Sequence, residues 1–215
     1  MKKIIAGTLL ALTAGATQAL EAGDVLIRLG MATDIPHEST HIVGIAGTDD
    51  VSLDYTPGAV GNITYMFTSN WGLEFSQSSP FNHQIQGHGG AAVGHIGEYD
   101  AMYSTLLAQY HFNAGDFKPY VGAGINYAYF LHSDLNDSDP TLKAAGITKM
   151  KMANDLSPAV EVGVDYKLND HAYANLSAMY TPTSTKAKLS GPGGNVDINM
   201  DIDPVVFTLA FGYKL

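Results

Sequence analysis

The chain has 215 residues, with 11 Lys plus Arg against 21 Asp plus Glu and no cysteine. A formal net charge of −10 predicts no basic patch to neutralise phosphates and argues against nucleic acid as a partner. The lack of cysteine excludes disulfides and any zinc site built on thiolates.

The chain opens with "MKKIIAGTLLALTAGATQA". Two lysines, an apolar run from Ile4 to about Ala16 and the small-residue end Thr17-Gln18-Ala19 predict a secretory signal peptide, residues 1–19, cleaved after Ala19. Residues 20–215 then form one domain of 196 residues. Removing Lys2 and Lys3 leaves nine basic residues against 21 acidic ones, or −12.

From there the apolar period is two rather than 3.6, the mark of half-buried strands. Eight segments follow in order. Residues 24–33 set Val25, Ile27, Leu29 and Met31 against Arg28 and Gly30. Residues 61–67 set Ile63, Tyr65 and Phe67 against Asn62, Thr64 and Met66, and residues 71–76 set Trp71, Leu73 and Phe75 against Gly72, Glu74 and Ser76. Residues 106–112 and 121–129 continue the pattern, with Gln109 and His111 on one polar face and glycines with Asn126 on the other. Residues 159–166 and 172–180 place Glu161, Asp165, Asn175 and Met179 opposite Val162, Val164 and Leu176. The last segment, 205–215, has an odd face of Val205, Phe207, Leu209, Phe211, Tyr213 and Leu215.

The connections alternate as well. Ser69-Asn70, "NAGDF" and Asn169-Asp170 are hairpin-sized, whereas 33–57, 81–99, 131–156 and 181–203 are long and rich in Gly, Asp, Ser and Pro. An even strand count with short turns at one end and long loops at the other predicts an all-β fold, an eight-stranded antiparallel transmembrane barrel with periplasmic turns and extracellular loops. A closed barrel satisfies its own backbone groups, so its apolar face can meet lipid. A soluble sandwich or lipocalin-like barrel would alternate similarly. Charged residues at mid-strand on the inner face, and Phe67, Trp71, Tyr110, Phe112, Tyr166 and Tyr213 at the short-turn end, favour the membrane.

The stretches "FKPYVGAGINYAYF", "VEVGVDYKLND", "SSPFNHQI" and "DIDPVVFTLAFGYKL" resemble the outer membrane protein W (OmpW) family of Gram-negative bacteria, over nearly the whole chain from "EAGDVLIRLG" onward. The resemblance implies an integral outer-membrane barrel that passes small hydrophobic molecules, with a related branch that assists alkane uptake. It also implies members that respond to stress or serve as bacteriocin receptors. One departure is the final residue. Such barrels commonly end in Phe and this one ends in Leu215, an expected weakening of recognition by the barrel-insertion machinery.

An eight-stranded barrel is too narrow for a general aqueous pore. In its periplasmic half, inward Arg28, Glu74, His111, Asp165 and Lys214, with Gln109 and Glu161 beside them, predict a polar plug held by ion pairs. Above it, Tyr103, Leu107, Phe130, Met179 and Val206 predict a hydrophobic lumen. A hydrophobic solute admitted there must leave sideways. Pro57, Pro80, Pro158, Pro182 and Pro204 fall at outer strand ends, where the missing N–H weakens pairing and marks a lateral opening, or simply ends the strands.

Other patterns carry less. His83, His88 and His95 share one long connection without metal-ligand spacing, and no cofactor is expected. His132, Ser133 and Asp134 are adjacent along a strand, poor geometry for a catalytic relay, so no enzyme is expected. Met150 and Met152 read as loop residues near the mouth. Two functions remain: passive passage of hydrophobic molecules with lateral release, or a non-transporting barrel whose loops bind partners, phage or bacteriocins. The expected partners are small hydrophobic solutes, outer-membrane lipid and lipopolysaccharide, with no motif that locates the last.

Overall fold

Alternation of apolar and polar residues should make the strands of the barrel wall two-faced, and the folded chain bears this out. The computed structural model describes residues 20–36, 50–53, 55–88, 94–192 and 194–215; the expected signal peptide lies outside them. In chain order the elements are β1 (Val25–Ile35), β2 (Asp50–Leu53), β3 (Thr56–Met66), β4 (Trp71–Ser78), β5 (Phe81–His88), β6 (Gly94–His111), β7 (Phe117–Leu135), α1 (Pro140–Ala145), β8 (Lys149–Met152), β9 (Asp155–Lys167), β10 (Ala172–Tyr180), β11 (Ser184–Gly191), β12 (Gly194–Asp201) and β13 (Val205–Lys214).

Eight of them close a ring. Antiparallel ladders run β1–β3–β4–β6–β7–β9–β10–β13, and β13 returns to β1 from Leu26–Lys214 to Ile35–Val205. No edge strand is left in the wall, which is the condition for sitting in hydrocarbon. Outward side chains are apolar and bare: Leu29 is 68% exposed, Leu209 66% and Val162 59%. At the short-turn end the outward rings touch one another, Trp71 on Tyr110 at 5.1 Å, Tyr110 on Phe112 at 4.9 Å and Phe117 on Tyr166 at 4.8 Å. Amphipathic rings gather at a membrane interface in this way.

The long connections differ from the expected plain loops, because much of each is strand. β6 and β7 extend well past the wall, to Gly94 and Leu135. β5 continues β4 after a break at Ser79-Pro80, pairs with upper β6 and carries β2 on its other edge. β8, β11 and β12 make a separate three-stranded sheet, order β12-β11-β8, at the long-loop end. Its inner face, including Ala187, Leu189, Met152 and Met200, joins one apolar cluster with Phe130, Met179 and Val206, so this sheet packs over the barrel mouth. Residues at positions 150 and 152 are therefore part of a packed cap and not of a solvated loop: Met152 is buried and Met150 partly so.

Candidate functional site

Alternate residues of eight strands meet inside the ring, and the charged ones meet at mid-height. Arg28 of β1 is 1% exposed. Its Nε and Nη2 donate to Asp165 Oδ1 and Oδ2 at 2.9 and 2.6 Å, and its Nη1 donates to Thr64 Oγ1 at 2.8 Å and Glu74 Oε2 at 3.0 Å. Buried charges need this density of partners to survive removal from water. Asn62 Nδ2 and Thr64 Oγ1 complete Glu74 at 3.3 and 3.0 Å, and Asn175 Nδ2 donates to Asp165 at 2.9 Å. The Tyr120 ring lies 5.4 Å from the guanidinium carbon, a cation–π contact, and its hydroxyl accepts from Asn175 at 3.1 Å. Tyr120 reaches that place by lying over Gly163, where a Cβ would come within 2.4 Å of the ring.

Of the residues expected in the plug, Arg28, Glu74 and Asp165 form one network. Gln109 Nε2 donates to Glu161 Oε2 at 2.9 Å, and His111 Nε2 meets Gln109 Oε1 at 3.1 Å beside it. Lys214 stands apart: its Nζ pairs with Asp24 at 3.4 Å, at the short-turn end. Below the network, Leu20, Leu26, Met66 and Tyr173 pack as a small apolar floor.

Tyr103, Leu107, Phe130, Met179 and Val206 are all buried and all point inward. Leu107 sits lower than the others, against Gly122 next to Gln109 and Glu161. The space between them is small. A cavity of about 20 Å³, enough for about one water molecule, is bounded by Val60, Tyr103, Met179 and Val206 together with Asn62, Glu74 and Glu161.

The upper lumen also holds polar groups. Asp34, fully buried at the end of β1, accepts from Tyr103 OH at 2.8 Å, and its Oδ2 lies 3.1 Å from His83 Nε2 of β5. His83 stacks on Tyr99 at 5.2 Å, and Tyr99 packs on Phe130 at 5.7 Å. Sequence reasoning missed this cluster because the break at Ser79-Pro80 shifts the facing. Inward positions are even before it (Glu74, Ser78) and odd after it (Phe81, His83). Tyr120 and Asn175 were legible, since both fall on the inward parity of their strands.

The five prolines fall into two groups. Pro57 and Pro80 flank the seam between β3 and β4–β5, where Thr56 Oγ1 donates to Asn82 O at 2.8 Å in place of a ladder bond. Pro158, Pro182 and Pro204 flank the seam where β9, β10 and β13 end. The β9–β10 ladder stops at Val160–Tyr180, yet β9 runs on to Asp155 paired with β7, and backbone pairing on its other side resumes where Ala153 N–H donates to Lys186 O and β8 meets β11. What spans that seam is hydroxyl contact: Thr181 Oγ1 donates to Pro158 O at 3.2 Å and lies 2.9 Å from Ser157 Oγ.

Among the described residues, no group of three acidic, His or Cys side chains is arranged to hold a metal. His132 Nδ1 meets Asp100 Oδ2 at 3.2 Å on the exposed rim, across strands and not along its own.

A model of the OmpW family matches residues 21–215. Outer membrane protein W of Vibrio cholerae is 33% identical over 225 residues and the alignment covers 100% of each chain. The crystal structure of OprG from Pseudomonas aeruginosa superposes with a TM-score of 0.83 at 34% identity, over 92% of this chain and 98% of that one. A more distant relative is outer membrane protein AlkL of Ectopseudomonas oleovorans, 26% identical over 168 residues, 76% of this chain and 68% of its own.

Proposed function

The chain belongs to the OmpW family and is an integral β-barrel of a Gram-negative outer membrane; from that premise we propose that it passes small hydrophobic molecules by passive diffusion. The solute enters the upper lumen among Tyr103, Phe130, Met179 and Val206, meets the charged layer of Arg28, Glu74 and Asp165, and turns out into the bilayer. The relationship to AlkL supports the substrate class. The observation that carries the route is the β9–β10 seam. Between Val160–Tyr180, where the β9–β10 ladder stops, and Ala153–Lys186, where pairing resumes into the β8–β11 ladder, the wall is joined through Ser157 and Thr181 hydroxyls and not through backbone pairs. Separating two such contacts costs on the order of 1 kcal/mol each, far less than opening a ladder in lipid.

A disulfide staple tests the route, and a chain without cysteine suits it. Ser157→Cys with Thr181→Cys closes the seam under oxidation. Uptake of a hydrophobic probe by cells displaying the oxidised protein should fall to the vector level and return on reduction. Uptake that ignores the staple, in a barrel shown folded, would falsify the lateral route.

The small lumen favours a second reading. A cavity of about 20 Å³ is what a non-transporting barrel with partner-binding loops would have. Met179→Arg separates the two, because it fills the remaining space. Probe uptake above the vector level in the wild type, lost in this variant, supports transport. Equal uptake in wild type, variant and vector control supports the loop-binding barrel.

A further inference from the structure

An overall charge of −12 after residue 19 gives no hint of a basic surface, yet folding produces one. Of the nine basic residues in that stretch, Arg28, Lys118, Lys167 and Lys214 belong to the barrel strands. The other five, Lys143, Lys149, Lys151, Lys186 and Lys188, all lie in the cap formed by α1, β8 and β11. Four of these five share the outer face of the three-stranded sheet. The inner positions Met152, Ala187 and Leu189 are buried over the barrel mouth, so Lys149, Lys151, Lys186 and Lys188 project away from it and are exposed.

Two of them face each other. Lys188 of β11 is directly opposite Lys151 of β8 in the antiparallel register, a placement that brings the Cβ atoms to about 5 Å and is destabilising for like charges. Acidic residues are near: Asp197 is opposite Lys188 on its other side, and Asp134 lies across the groove. Even so, none of the four lysines forms an ion pair with a described residue within 4.0 Å. The face borders a groove of about 890 Å³ between the sheet and the end of β7, whose charged lining is Lys149, Lys151 and Lys188 on the sheet with Asp134, Asp137 and Asp197 around them, so the basic site is the Lys151–Lys188 pair and not the groove as a whole.

We propose that the β8–β11 face, centred on Lys151 and Lys188, docks the phosphate groups of lipopolysaccharide. The sheet stands at the extracellular end, where the outer leaflet presents phosphorylated sugars around the barrel. A phosphate between two opposed ammonium groups accepts charge-assisted hydrogen bonds from both and removes their mutual repulsion. The neighbouring lysines lie within a Debye length of about 8 Å at physiological salt, so they act on the same anion cluster. This assignment is independent of whether the lumen transports anything.

The test uses the full folded barrel in detergent micelles, titrated with purified rough lipopolysaccharide at several salt concentrations. Lys151→Gln with Lys188→Gln should weaken binding about thirtyfold, at about fivefold per lysine near an anionic surface. The wild-type affinity should also fall with salt more steeply than that of the variant. Against chemically dephosphorylated lipopolysaccharide, wild type and variant should bind alike. Lys167→Gln with Lys214→Gln removes the same charge at the opposite, short-turn end and should change affinity less than threefold. Heat-dependent mobility on a denaturing gel reports that each variant is folded. Equal affinity of wild type and the Lys151/Lys188 variant for phosphorylated lipopolysaccharide overturns the proposal, as does an equal loss in the charge-matched control. Tighter binding of inorganic polyphosphate than of lipopolysaccharide also overturns it, in favour of a soluble polyanion.

Discussion

Arg28 and Asp165, 137 residues apart, face each other across the lumen through two side-by-side hydrogen bonds of 2.9 and 2.6 Å. The fork geometry fixes β1 relative to β9, strands that are not neighbours in the wall. Among the described residues, Arg28 is the one cation shared by Asp165 and Glu74, so removing it strands two buried carboxylates. Arg28→Met should therefore lower stability by about 3–5 kcal/mol, read as a shift in urea unfolding of the barrel in micelles. A loss below about 1 kcal/mol, the scale of an exposed pair, would show that water reaches the site.

Tyr120 and Gly163 depend on each other in a simpler way. With a Cβ at position 163 only 2.4 Å from the ring, Gly163→Val must move Tyr120 off Arg28 and away from Asn175. The expected cost is about 1–3 kcal/mol, as for other overpacked sites. Combining it with Tyr120→Ala should cost less than the sum of the single changes, since the clash disappears with the ring. A double-mutant cycle from equilibrium unfolding measures the difference. Strict additivity would mean that the ring does not rest on that glycine.

Asp34 and His83 form a hydrogen-bonded pair among the apolar side chains of the upper lumen. His83→Leu leaves a buried carboxylate with the Tyr103 hydroxyl as its remaining close partner, and should destabilise strongly, by about 3–5 kcal/mol. The paired change Asp34→Leu with His83→Leu removes both groups and should cost markedly less. It should also raise uptake of a hydrophobic probe, because a solute no longer has to displace a hydrogen-bonded cluster. Uptake that falls in the double variant would place the cluster off the solute path.

Pro158 and Pro182 mark the seam where β9 outruns β10. Replacing both with Val restores two N–H donors and lets the ladder extend past Val160–Tyr180. Hydrophobic probe uptake should drop severalfold while thermal stability rises or holds. Unchanged uptake would mean that the prolines only end the strands.

The barrel itself was legible because period-two alternation survives wherever one face meets lipid. Within 61–67, 71–76, 172–180 and 205–215 each outward residue could be named from sequence, and so could Arg28, Glu74 and Asp165 on the other face. What escaped reading lies where alternation is interrupted or has no lipid to enforce it. The offset at Ser79-Pro80 hides His83, and the cap strands alternate lysine with small or apolar residues in stretches that look like loops. Partner choice also escaped. Lys214 is inward as expected, but only the three-dimensional register sets it beside Asp24 and apart from Glu74.

The Arg28 network has a consequence for the cell that makes this protein. A barrel whose middle is crossed by fixed charges and hydrogen-bonded side chains offers ions and sugars no wet column from one side to the other. Its copy number is then uncoupled from the leakiness of the envelope. Further copies would add lipid-facing surface to the envelope without adding a path for salts or hydrophilic toxins.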